Sequence, residues 1–340
     1  MPAEWDERVN TVLMAYPNRS TDWDYFNIYD AQACYDRIIS ALVNRAGMKV
    51  LLIARREELS ELFATELANH PHIDIVGDVP YNDTWARDFG MITVERGGAL
   101  CYLDFKFNGW GLKFASDRDN MICRNLTAKG YTPSGRPLIN LQEFVLEGGS
   151  IESDGQGTIM TTSECLLSPN RNAGLTKRQI ANRLKKYLGA KRILWLNHGA
   201  IPGDDTDSHI DTLARFATPD TIIYVKSYDR NDPNRRALQA MERQLKHFKT
   251  PEGKPYKLVP VPQPAQMTDD NGDPMPATYV NFLITPRAVL MPVYSQQQKY
   301  NRMAVDALRS VFTNREVIPI DCTPLIFQHG SLHCVTMQLI

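Results

Sequence analysis

Residues 328–340, QHGSLHCVTMQLI, decide where the last strand of this protein must pair. The segment 332–338, LHCVTMQ, has the apolar and β-branched residues of a strand, and no strand follows it. The first strand-like segment of the chain is 11–17, TVLMAYP. We predict that these two segments pair, because joining the two ends of the chain removes a free sheet edge.

Between the two ends, the order hairpin, helix, strand recurs. The predicted hairpins turn at Gly97-Gly98, Asp154-Gly155, Pro219-Asp220 and Pro286-Arg287. The predicted helices cover residues 31–46, 57–69, 118–129, 175–189, 232–248 and 300–314, and the predicted strands after them cover 48–55, 191–196, 257–262 and 315–320. In helix 175–189, Thr176 is the predicted N-cap and Gly189 the stop, and the Pro-rich stretch 261–278 is a predicted loop. The pattern predicts an α/β protein whose repeated units form a propeller-like ring.

The composition excludes several classes of protein. The chain has 340 residues, 43% of them apolar, which suffices for a large core. A net charge of −1 gives no basic field for nucleic acid, and no apolar run approaches the roughly 18 residues of a membrane span. The six cysteines are scattered without a CxxC motif, which indicates reduced thiols and a cytoplasmic protein.

Five stretches of high polar density lie just before or at the start of a predicted hairpin. They are 82–90, 146–150, 203–211, 278–282 and 328–334. Their anchor residues, Asp88, Glu147, His209, Tyr279 and Cys334, are between 55 and 70 positions apart. In a ring of similar units, equivalent positions face one axis, so we expect these stretches to converge on one site.

Cys334 and His209 are the candidates for nucleophilic and acid–base chemistry. A thiol needs help to ionise at neutral pH, and Gly330 gives a flexible approach to Cys334; a buried structural cysteine is the alternative. If residues 209–211 are extended, His209 and Asp211 point the same way, and a histidine beside carboxylates is a good general acid–base. A solvated acidic loop, or a zinc or manganese site, would also explain this cluster.

The remaining candidates suit a flat cation. Glu147, between an apolar segment and two glycines, is expected to orient His209, with a turn salt bridge as the alternative. Asp88 beside Trp85, and Trp110 in the stretch FNGWG, would bind a cation through a carboxylate and aromatic faces, although either tryptophan could be a core residue. Carboxylates hold guanidinium by paired hydrogen bonds, and they would raise the pKa of a neighbouring thiol until the cation binds.

The motifs NDTWARDFG, FNGWG, FVLEGGSIESDGQGT, TTSECLLSPNRN, GDDTDSHIDTLARF and QHGSLHCVTMQ together resemble those of the agmatine deiminase family, which is grouped with bacterial peptidylarginine-deiminase-like proteins. The resemblance implies the pentein fold, a five-bladed α/β-propeller of ββαβ units, as one domain over residues 1–340. It also implies a thiol attack by Cys334 on the guanidinium carbon, with His209 as acid and then base. Glu147 would pair with His209.

The resemblance further implies that Asp88 and Asp211 hold the guanidinium and that Asp205 is a further substrate contact. We add Trp85, Trp110 and Gly330 as substrate-contacting residues. The expected partner is a small cationic guanidine, agmatine, with N-carbamoylputrescine as product. No cofactor, metal, nucleic acid or membrane is expected, and the chain length is compatible with a homodimer.

Three other functions remain open at this stage. Free or peptidyl arginine could replace agmatine, although the motif regions are rich in Asp and Trp, and Arg87 and Arg215 are their main cations. A metallohydrolase could use His209 and Asp211. A non-catalytic pentein could bind guanidines or a protein partner, although Cys334, His209 and Glu147 are all present.

Overall fold

The computed structural model describes residues 1–25, 28–132 and 135–340. Within these residues, five sheets share one plan. Each contains an antiparallel pair of strands followed by a strand parallel to the second member of the pair. The fold is therefore mixed α/β, as predicted.

The strands of the described residues, in chain order, are β1 (Thr11–Ala15), β2 (Lys49–Ile53), β3 (Ile73–Val76), β4 (Ile92–Arg96), β5 (Ala99–Lys106), β6 (Leu138–Val145), β7 (Ile151–Ser153), β8 (Thr158–Thr162), β9 (Arg192–Leu196), β10 (Ala214–Thr218), β11 (Thr221–Lys226), β12 (Lys257–Pro262), β13 (Met267–Thr268), β14 (Pro274–Met275), β15 (Leu283–Ile284), β16 (Ala288–Val293), β17 (Glu316–Asp321) and β18 (Met337–Leu339). The five sheets have the orders β18-β1-β2-β3, β4-β5-β6, β7-β8-β9, β10-β11-β12 and β15-β16-β17. β13 and β14 form a separate small hairpin.

The two ends of the chain pair, as predicted. Thr11 lies opposite Leu339 in the antiparallel pair β1–β18, and Thr11 lies beside Lys49 in the parallel pair β1–β2. In each of the five sheets, the strand between the antiparallel and the parallel partner carries fully buried apolar side chains. Examples, one from each sheet, are Leu13, Leu103, Met160, Ile223 and Leu290. Both ends of the chain are thus part of the packed structure.

The helices of the described residues are α1 (Ile28–Asn44), α2 (Glu61–Glu66), α3 (Ala86–Phe89), α4 (Gly109–Leu112), α5 (Ile122–Ala128), α6 (Ser163–Leu166), α7 (Lys177–Leu188), α8 (Arg235–His247), α9 (Gln298–Val311) and α10 (Thr323–Ile326). Short 3₁₀ turns cover Asp22–Tyr25, Arg56–Glu58, Asp119–Met121, Gly148–Ser150 and Ile210–Thr212. None of the helices in this part of the chain combines the length and hydropathy that crossing a lipid bilayer needs.

Helix α7 forms as its sequence predicts. The Thr176 hydroxyl accepts a hydrogen bond from the backbone N–H of Gln179, and the Gln179 side chain accepts one from the backbone of Thr176, which is a capping box. Gly189 ends the helix at a φ of 71°. The helices predicted over 57–69 and 118–129 are shorter than expected, because a 3₁₀ turn precedes each of them and Ser60 caps α2 from outside.

Two other predictions are corrected. The stretch 261–278 is not one loop, because it contains the hairpin β13–β14, in which Met267 pairs with Met275. The last strand is β18 rather than residues 332–338, so Cys334 lies in the turn before the strand. The hairpin turn at Gly97-Gly98 is confirmed, and both glycines have positive φ, 58° and 80°.

All five polar stretches lie just before the first strand of a sheet. The residues 86–89 precede β4, 147–150 precede β7, and 209–212 precede β10. The residues 278–282 precede β15, and 328–334 precede β18. The fold therefore gives the five stretches equivalent places in five equivalent sheets.

Candidate active site

Several of the five stretches meet at a cavity of about 190 Å³. Its lining consists of Asp22, Asp83, Trp85, Asp88, Trp110, Phe114, Asp205, Thr206, Thr212, Gln328, His329, Gly330 and Cys334. Six of the predicted site residues are in this lining: Trp85, Asp88, Trp110, Asp205, Gly330 and Cys334. The other three, Glu147, His209 and Asp211, are not lining residues and are completely buried.

Gly149 shows how closely the buried residues approach the lining. A Cβ atom at this position would lie 2.6 Å from Nδ1 of His209, 2.9 Å from Oδ1 of Asp88 and 3.0 Å from Oδ2 of Asp211. Because real Cβ atoms essentially never approach other atoms that closely, only glycine leaves room for these three side chains to converge. The second glycine of LEGGS is thus a requirement of the site.

Asp88 is held by two donors. Its Oδ2 accepts a hydrogen bond of 2.8 Å from Nε1–H of Trp110, and its Oδ1 accepts one of 3.0 Å from the backbone N–H of Gly149. Burial raises the pKa of Asp88 to about 6, with His209 acting in the opposite direction and Asp211 adding to the rise. Trp110 thus orients a carboxylate at the cavity wall.

His209 is a buried imidazole close to three ionisable groups. Burial disfavours its charged form, but Asp88, Cys165 and Glu147 raise its pKa well above the ordinary histidine value. Neither ring nitrogen has a hydrogen-bond partner among the described residues. A buried polar group without a partner is unusual away from functional sites, so both the charge and the free nitrogens suit a proton donor to a ligand.

The predicted reason for the proximity of His209 and Asp211 is wrong. Residues Ile210–Thr212 form a 3₁₀ turn and not an extended segment, so the two side chains do not follow a strand alternation. The turn and the space at Gly149 bring them together instead.

Glu147 makes its hydrogen bonds with Arg171, which the sequence did not single out. Nε of Arg171 lies 2.9 Å and 3.0 Å from the two oxygens of Glu147, and the two side chains are fully buried. Arg171 also donates a hydrogen bond of 2.9 Å to the carbonyl oxygen of Thr206 and forms an ion pair with Asp207. Arg171 therefore ties Glu147 to the loop that leads to His209.

Glu147 nevertheless remains close to His209. One carboxylate oxygen of Glu147, Sγ of Cys165 and one ring nitrogen of His209 all lie within 4.8 Å of one another. The expected hydrogen bond between Glu147 and His209 is not formed in this structure, because both oxygens of Glu147 face Arg171. The influence of Glu147 on His209 is electrostatic here, and it favours the protonated ring.

Asp211 has one engaged and one free oxygen. Oδ2 lies 2.7 Å from Nδ1 of His333, while Oδ1 is buried without a partner among the described residues. Although burial acts in the opposite direction, His333, His209 and Arg215 lower the pKa of Asp211. Asp211 is thus ionised across the neutral range and has an oxygen available for a cationic ligand.

Cys334 is a nearly buried thiol, 7% exposed, at the cavity wall. Its Sγ lies 3.4 Å from Oδ1 of Asn281, which also accepts a hydrogen bond of 2.9 Å from the backbone N–H of His333. Burial, Asp211 and Asp88 raise the pKa of Cys334 well above the ordinary thiol value. The direction of this shift is the one predicted for a thiol beside carboxylates.

The fourth polar stretch contributes a different residue from the one expected. The hydroxyl of Tyr279 donates a hydrogen bond of 2.6 Å to Oδ1 of Asn301, so it stabilises the packing of α9. Asn281, two positions later, contacts the turn that carries Cys334. The expected residue, Tyr279, and the observed one, Asn281, are thus two positions apart in a segment without regular secondary structure.

Trp85 and Gly330 form one wall of the cavity. A Cβ atom at Gly330 would lie 2.1 Å from Cζ3 of Trp85, so the backbone packs directly on the indole ring. Nε1–H of Trp85 donates a hydrogen bond of 2.9 Å to Oδ2 of Asp83. Burial raises the pKa of Asp83 to about 8, and Asp119 contributes to the rise.

The segment around Trp110 is tightly constrained. Trp110 has a φ of 53° and Leu112 a φ of 68°, values that side-chain-bearing residues rarely adopt. A Cβ atom at Gly109 would lie 2.2 Å from the carbonyl oxygen of Phe114. Backbone strain of this kind concentrates at ligand sites, and here it places Trp110 and Phe114 in the cavity lining.

Asp205 lies at another part of the lining, as expected for a substrate contact. Burial raises the pKa of Asp205 to about 6, with Asp204 adding to the rise and His329 and Lys113 opposing it. The carbonyl oxygen of Asp205 accepts a hydrogen bond from Nζ of Lys113. The loop 203–208 is thus fixed on one side by Lys113 and on the other by Arg171.

The cavity lining carries carboxylates but no Lys or Arg side chain among the described residues. Arg87 and Arg215, the main cations of the motif regions, lie elsewhere, as does Arg171 of the motif TTSECLLSPNRN. Nε of Arg87 lies 3.4 Å from the carbonyl oxygen of His333, and Arg215 contacts Glu4 and Glu152. Both guanidinium groups are buried and act on the framework behind the cavity.

In the described part of the chain, two buried groups offer side-chain sets that metals use: Glu147, Cys165 and His209 in one, and Glu4, Glu152 and His333 in the other. In each group an arginine already neutralises the carboxylates, Arg171 in the first and Arg215 in the second. A divalent cation would have to compete with these guanidinium groups, so neither set favours a metal.

Comparison with known proteins gives one consistent picture. The family model of the Porphyromonas-type peptidyl-arginine deiminases matches residues 1–339. A protein of Legionella pneumophila (strain Paris) named "Putative agmatine deiminase" is 33% identical over 343 residues, which cover 99% of this chain and 94% of that protein.

Solved structures are similar over the same length. The agmatine deiminase of C. jejuni, in a structure with substrate bound, is 33% identical with a TM-score of 0.88, over 99% of this chain and 95% of that chain. A Porphyromonas gingivalis structure titled "Putative Arginine Deiminase" is 44% identical with a TM-score of 0.90, over 100% and 97% of the two chains. The mixed α/β fold thus has its neighbours in the pentein family.

Proposed function

Because the chain belongs to the Porphyromonas-type peptidyl-arginine deiminase family, we propose that it hydrolyses the guanidinium group of agmatine to N-carbamoylputrescine and ammonia. One observation carries the proposal: a thiol, two tryptophans and several carboxylates line one cavity that has no Lys or Arg side chain among its described residues. Carboxylates pair with guanidinium nitrogens, and indole faces attract a flat cation.

The charge of the lining favours agmatine over arginine. Agmatine is cationic at both ends, and Asp22 and Asp205 line the cavity in addition to Asp88, whereas Asp83, with a pKa of about 8, is mostly uncharged at neutral pH. The α-carboxylate of arginine would meet these carboxylates in a lining that has His329 but no Lys or Arg side chain. The names of the Legionella and C. jejuni relatives support the same substrate.

In the first step, the guanidinium binds between Asp88 and Asp211. Its charge offsets the carboxylates that raise the pKa of Cys334, so the thiol loses its proton to solvent and the thiolate forms. Sγ then bonds to the guanidinium carbon. His209, protonated at neutral pH, gives its proton to one nitrogen, the carbon–nitrogen bond breaks, and ammonia leaves an amidino-cysteine cation.

In the second step, water replaces the sulfur. His209, now neutral, takes a proton from the water as its oxygen bonds to the amidino carbon. The carbon–sulfur bond then breaks and Cys334 leaves as the thiolate, which regains a proton from solvent once the product has left. The remaining hydroxyl proton is lost as the carbonyl forms, and it accompanies the released ammonia as ammonium.

We also propose that the five sheets are five blades around one axis and that residues 1–340 are one domain. Support comes from the three-strand plan that the five sheets share, to which β3 adds a fourth strand in one sheet, and from the equivalent positions of the polar stretches before β4, β7, β10, β15 and β18.

Free or peptidyl arginine is the second candidate substrate. The name of the P. gingivalis structure favours it. In addition, Phe114 in the cavity lining is 44% exposed and Leu112, two positions before it, is 73% exposed, which is an apolar surface that a peptide could cover.

Ammonia release from agmatine, arginine and a blocked arginyl peptide separates these functions, with Cys334→Ala as the control. We expect turnover of agmatine, no turnover by the variant, and resistance to chelators. Faster turnover of arginine or the peptide would replace agmatine as substrate, chelator-sensitive turnover by Cys334→Ala would indicate a metal enzyme, and no turnover would indicate a binding protein.

A further inference from the structure

Cys165 is a buried thiol beside His209 that the proposed reaction steps do not use. Its side chain is fully buried, and it is not among the described residues that line the cavity. Its Sγ lies within 4.8 Å of a ring nitrogen of His209 and of a carboxylate oxygen of Glu147. A second thiol, in addition to Cys334, thus belongs to the surroundings of the site.

The local sequence fixes the place of Cys165. The Thr162 hydroxyl, at the end of β8, accepts a hydrogen bond of 3.3 Å from the backbone N–H of Cys165 in the first turn of α6. The next contact runs to the turn of His209, since the Ser208 hydroxyl donates a hydrogen bond of 3.3 Å to Oε2 of Glu164. Helix α6 is therefore joined to the segment that carries the imidazole, and Cys165 has a defined position beside the ring.

The charged groups around His209 are carboxylates, and they suit only one of its two protonation states. Nδ1 of His209 lies 3.7 Å from Oδ1 of Asp88, and the position of Gly149 brings Asp211 close to the same nitrogen. Both oxygens of Glu147 face Arg171. An ionised carboxylate accepts a hydrogen bond from an imidazolium, but it has no hydrogen to offer to a neutral ring.

A thiol suits both protonation states of the ring. Its sulfur is a weak acceptor and its S–H a weak donor. Burial raises the pKa of Cys165, although Arg171 and His209 act in the opposite direction. The sulfur therefore keeps its hydrogen at neutral pH, and Cys165 is an uncharged partner that can either accept or donate.

A histidine that acts first as an acid and then as a base needs such a partner, so this inference rests on the proposed function. Neither ring nitrogen of His209 has a hydrogen-bond partner among the described residues, so the ring can turn toward Sγ. We propose that Cys165 is a positioning residue for His209. Its sulfur accepts a hydrogen bond from the imidazolium in the first step, and its S–H donates one to the neutral imidazole in the second. The thiol hydrogen stays on sulfur throughout, and Cys165 orients the ring without touching the substrate.

The variants Cys165→Ala and Cys165→Ser form a matched pair, because both shorten the side chain and only serine keeps a donor and an acceptor. In Cys165→Ala we expect kcat, measured with whichever guanidine is turned over, to fall about tenfold, since a positioned acid–base contributes about 10²–10⁴ and only its orientation is disturbed. KM should stay nearly unchanged. Cys165→Ser should retain most of the rate. Cys34→Ala removes another fully buried thiol, which donates to the carbonyl oxygen of Asp321, and should leave the rate unchanged.

The basic limb of kcat/KM gives a second readout, because it reports loss of the proton that His209 donates. Cys165 adds to the raised pKa of His209, together with Asp88 and Glu147. Without the sulfur the charged ring is less stabilised, so in Cys165→Ala the limb should move down by about half a pH unit. Asp88, Glu147 and Asp211 remain in this variant and in Cys165→Ser, whose limb should not move.

Equal losses in Cys165→Ala and Cys165→Ser without a shift of the limb would mean that Cys165 only fills space. Full activity of Cys165→Ala would also overturn the proposal. If Cys165→Ala does not fold, Cys165→Val takes its place, because valine fills the space without a polar hydrogen; the same loss is expected, and full activity would again contradict the inference.

A titration of His209 by nuclear magnetic resonance tests the contact without turnover, with His209→Gln for assignment. We expect the pKa of His209 to be lower in Cys165→Ala than in the unmodified protein and in Cys165→Ser. The same pKa in all three proteins would refute the proposal. Because this titration needs no substrate, it separates failure of the inference from failure of the proposed function.

Discussion

Nδ1 of His209 lies 3.7 Å from Oδ1 of Asp88, and both side chains are buried. Asp88 helps to raise the pKa of His209, while His209 limits the rise in the pKa of Asp88, which is about 6. At neutral pH the pair is therefore ionised. The imidazolium can donate a proton, and the carboxylate can accept a guanidinium.

Asp88→Asn should impair the enzyme in two ways. It removes a charge that would hold the guanidinium, and it lowers the pKa of His209, so less of the proton donor is present. We expect kcat/KM for agmatine to fall about 30-fold or more, the range for removing one member of a buried charge pair. Steady-state kinetics measure this, and Asp74→Asn on the exposed edge of β3 should leave the rate unchanged.

The pH profile of the unmodified protein should show the titration of Asp88. Below its pKa of about 6 this carboxyl is protonated and cannot pair with a guanidinium, so kcat/KM should decline as the pH falls through that value. Asp211 does not cause this limb, because its pKa is lowered. A rate that stays constant down to pH 5 would contradict the role of Asp88.

Gly330→Ala should damage the wall formed by Trp85. The new methyl group would overlap the indole ring, whose Cζ3 is 2.1 Å from the Cβ position. We expect kcat/KM to fall about tenfold or more, since an overpacked site costs about 1–3 kcal/mol. Gly77→Ala is the matched control, because its Cβ would meet Ala54 at an ordinary 3.5 Å. Equal activity of the two variants would mean that the wall adapts.

The buried ion pair between Glu147 and Arg171 should contribute measurably to the free energy of unfolding. Arg171→Met leaves a buried carboxylate without its partner and should lower the free energy of unfolding by about 3–5 kcal/mol. The double variant Glu147→Leu with Arg171→Met removes both charges and should recover much of the loss. Urea unfolding compares them, and a double variant no more stable than the single one would argue against this pairing.

Substrate charge should create the reactive thiolate. In the free protein Asp211 and Asp88 add to the effect of burial on the pKa of Cys334, and a bound guanidinium offsets both carboxylates. An inert guanidinium analogue should therefore increase the ultraviolet absorbance of thiolate at fixed pH in the unmodified protein but not in Cys334→Ser. No difference between the two proteins would require another route to the thiolate.

The sequence predicted the repeated plan because that plan is encoded locally. Turn residues such as Gly97-Gly98 and caps such as Thr176 determine the backbone conformation of residues a few positions away. The hairpins and α7 can therefore be predicted from short stretches of sequence. The equivalent places of the five polar stretches followed from that order, and they led to Asp88, Asp205 and Cys334 in the cavity lining.

The partners of the site residues could not be predicted from the sequence, because they are far from those residues along the chain. Glu4 contacts His333 across 329 positions, and Arg171 reaches both Glu147 and Thr206. The sequence could not distinguish Asn281 from Tyr279 as the residue that contacts the Cys334 turn, because the direction of a side chain in an irregular segment does not follow from its position. The motif TTSECLLSPNRN contained Cys165 and Arg171, but only the fold shows that they face Glu147.

The most direct test of the account is the mass of Cys334 during turnover. Acid quenching with excess agmatine, followed by mass spectrometry of the peptide that contains Cys334, should show the addition of agmatine less one ammonia. His209→Ala should retain this adduct if it forms it, because hydrolysis needs the base, and Cys334→Ala should lack it. Agmatine turnover without the adduct, or turnover that survives Cys334→Ala, would contradict the thiol mechanism.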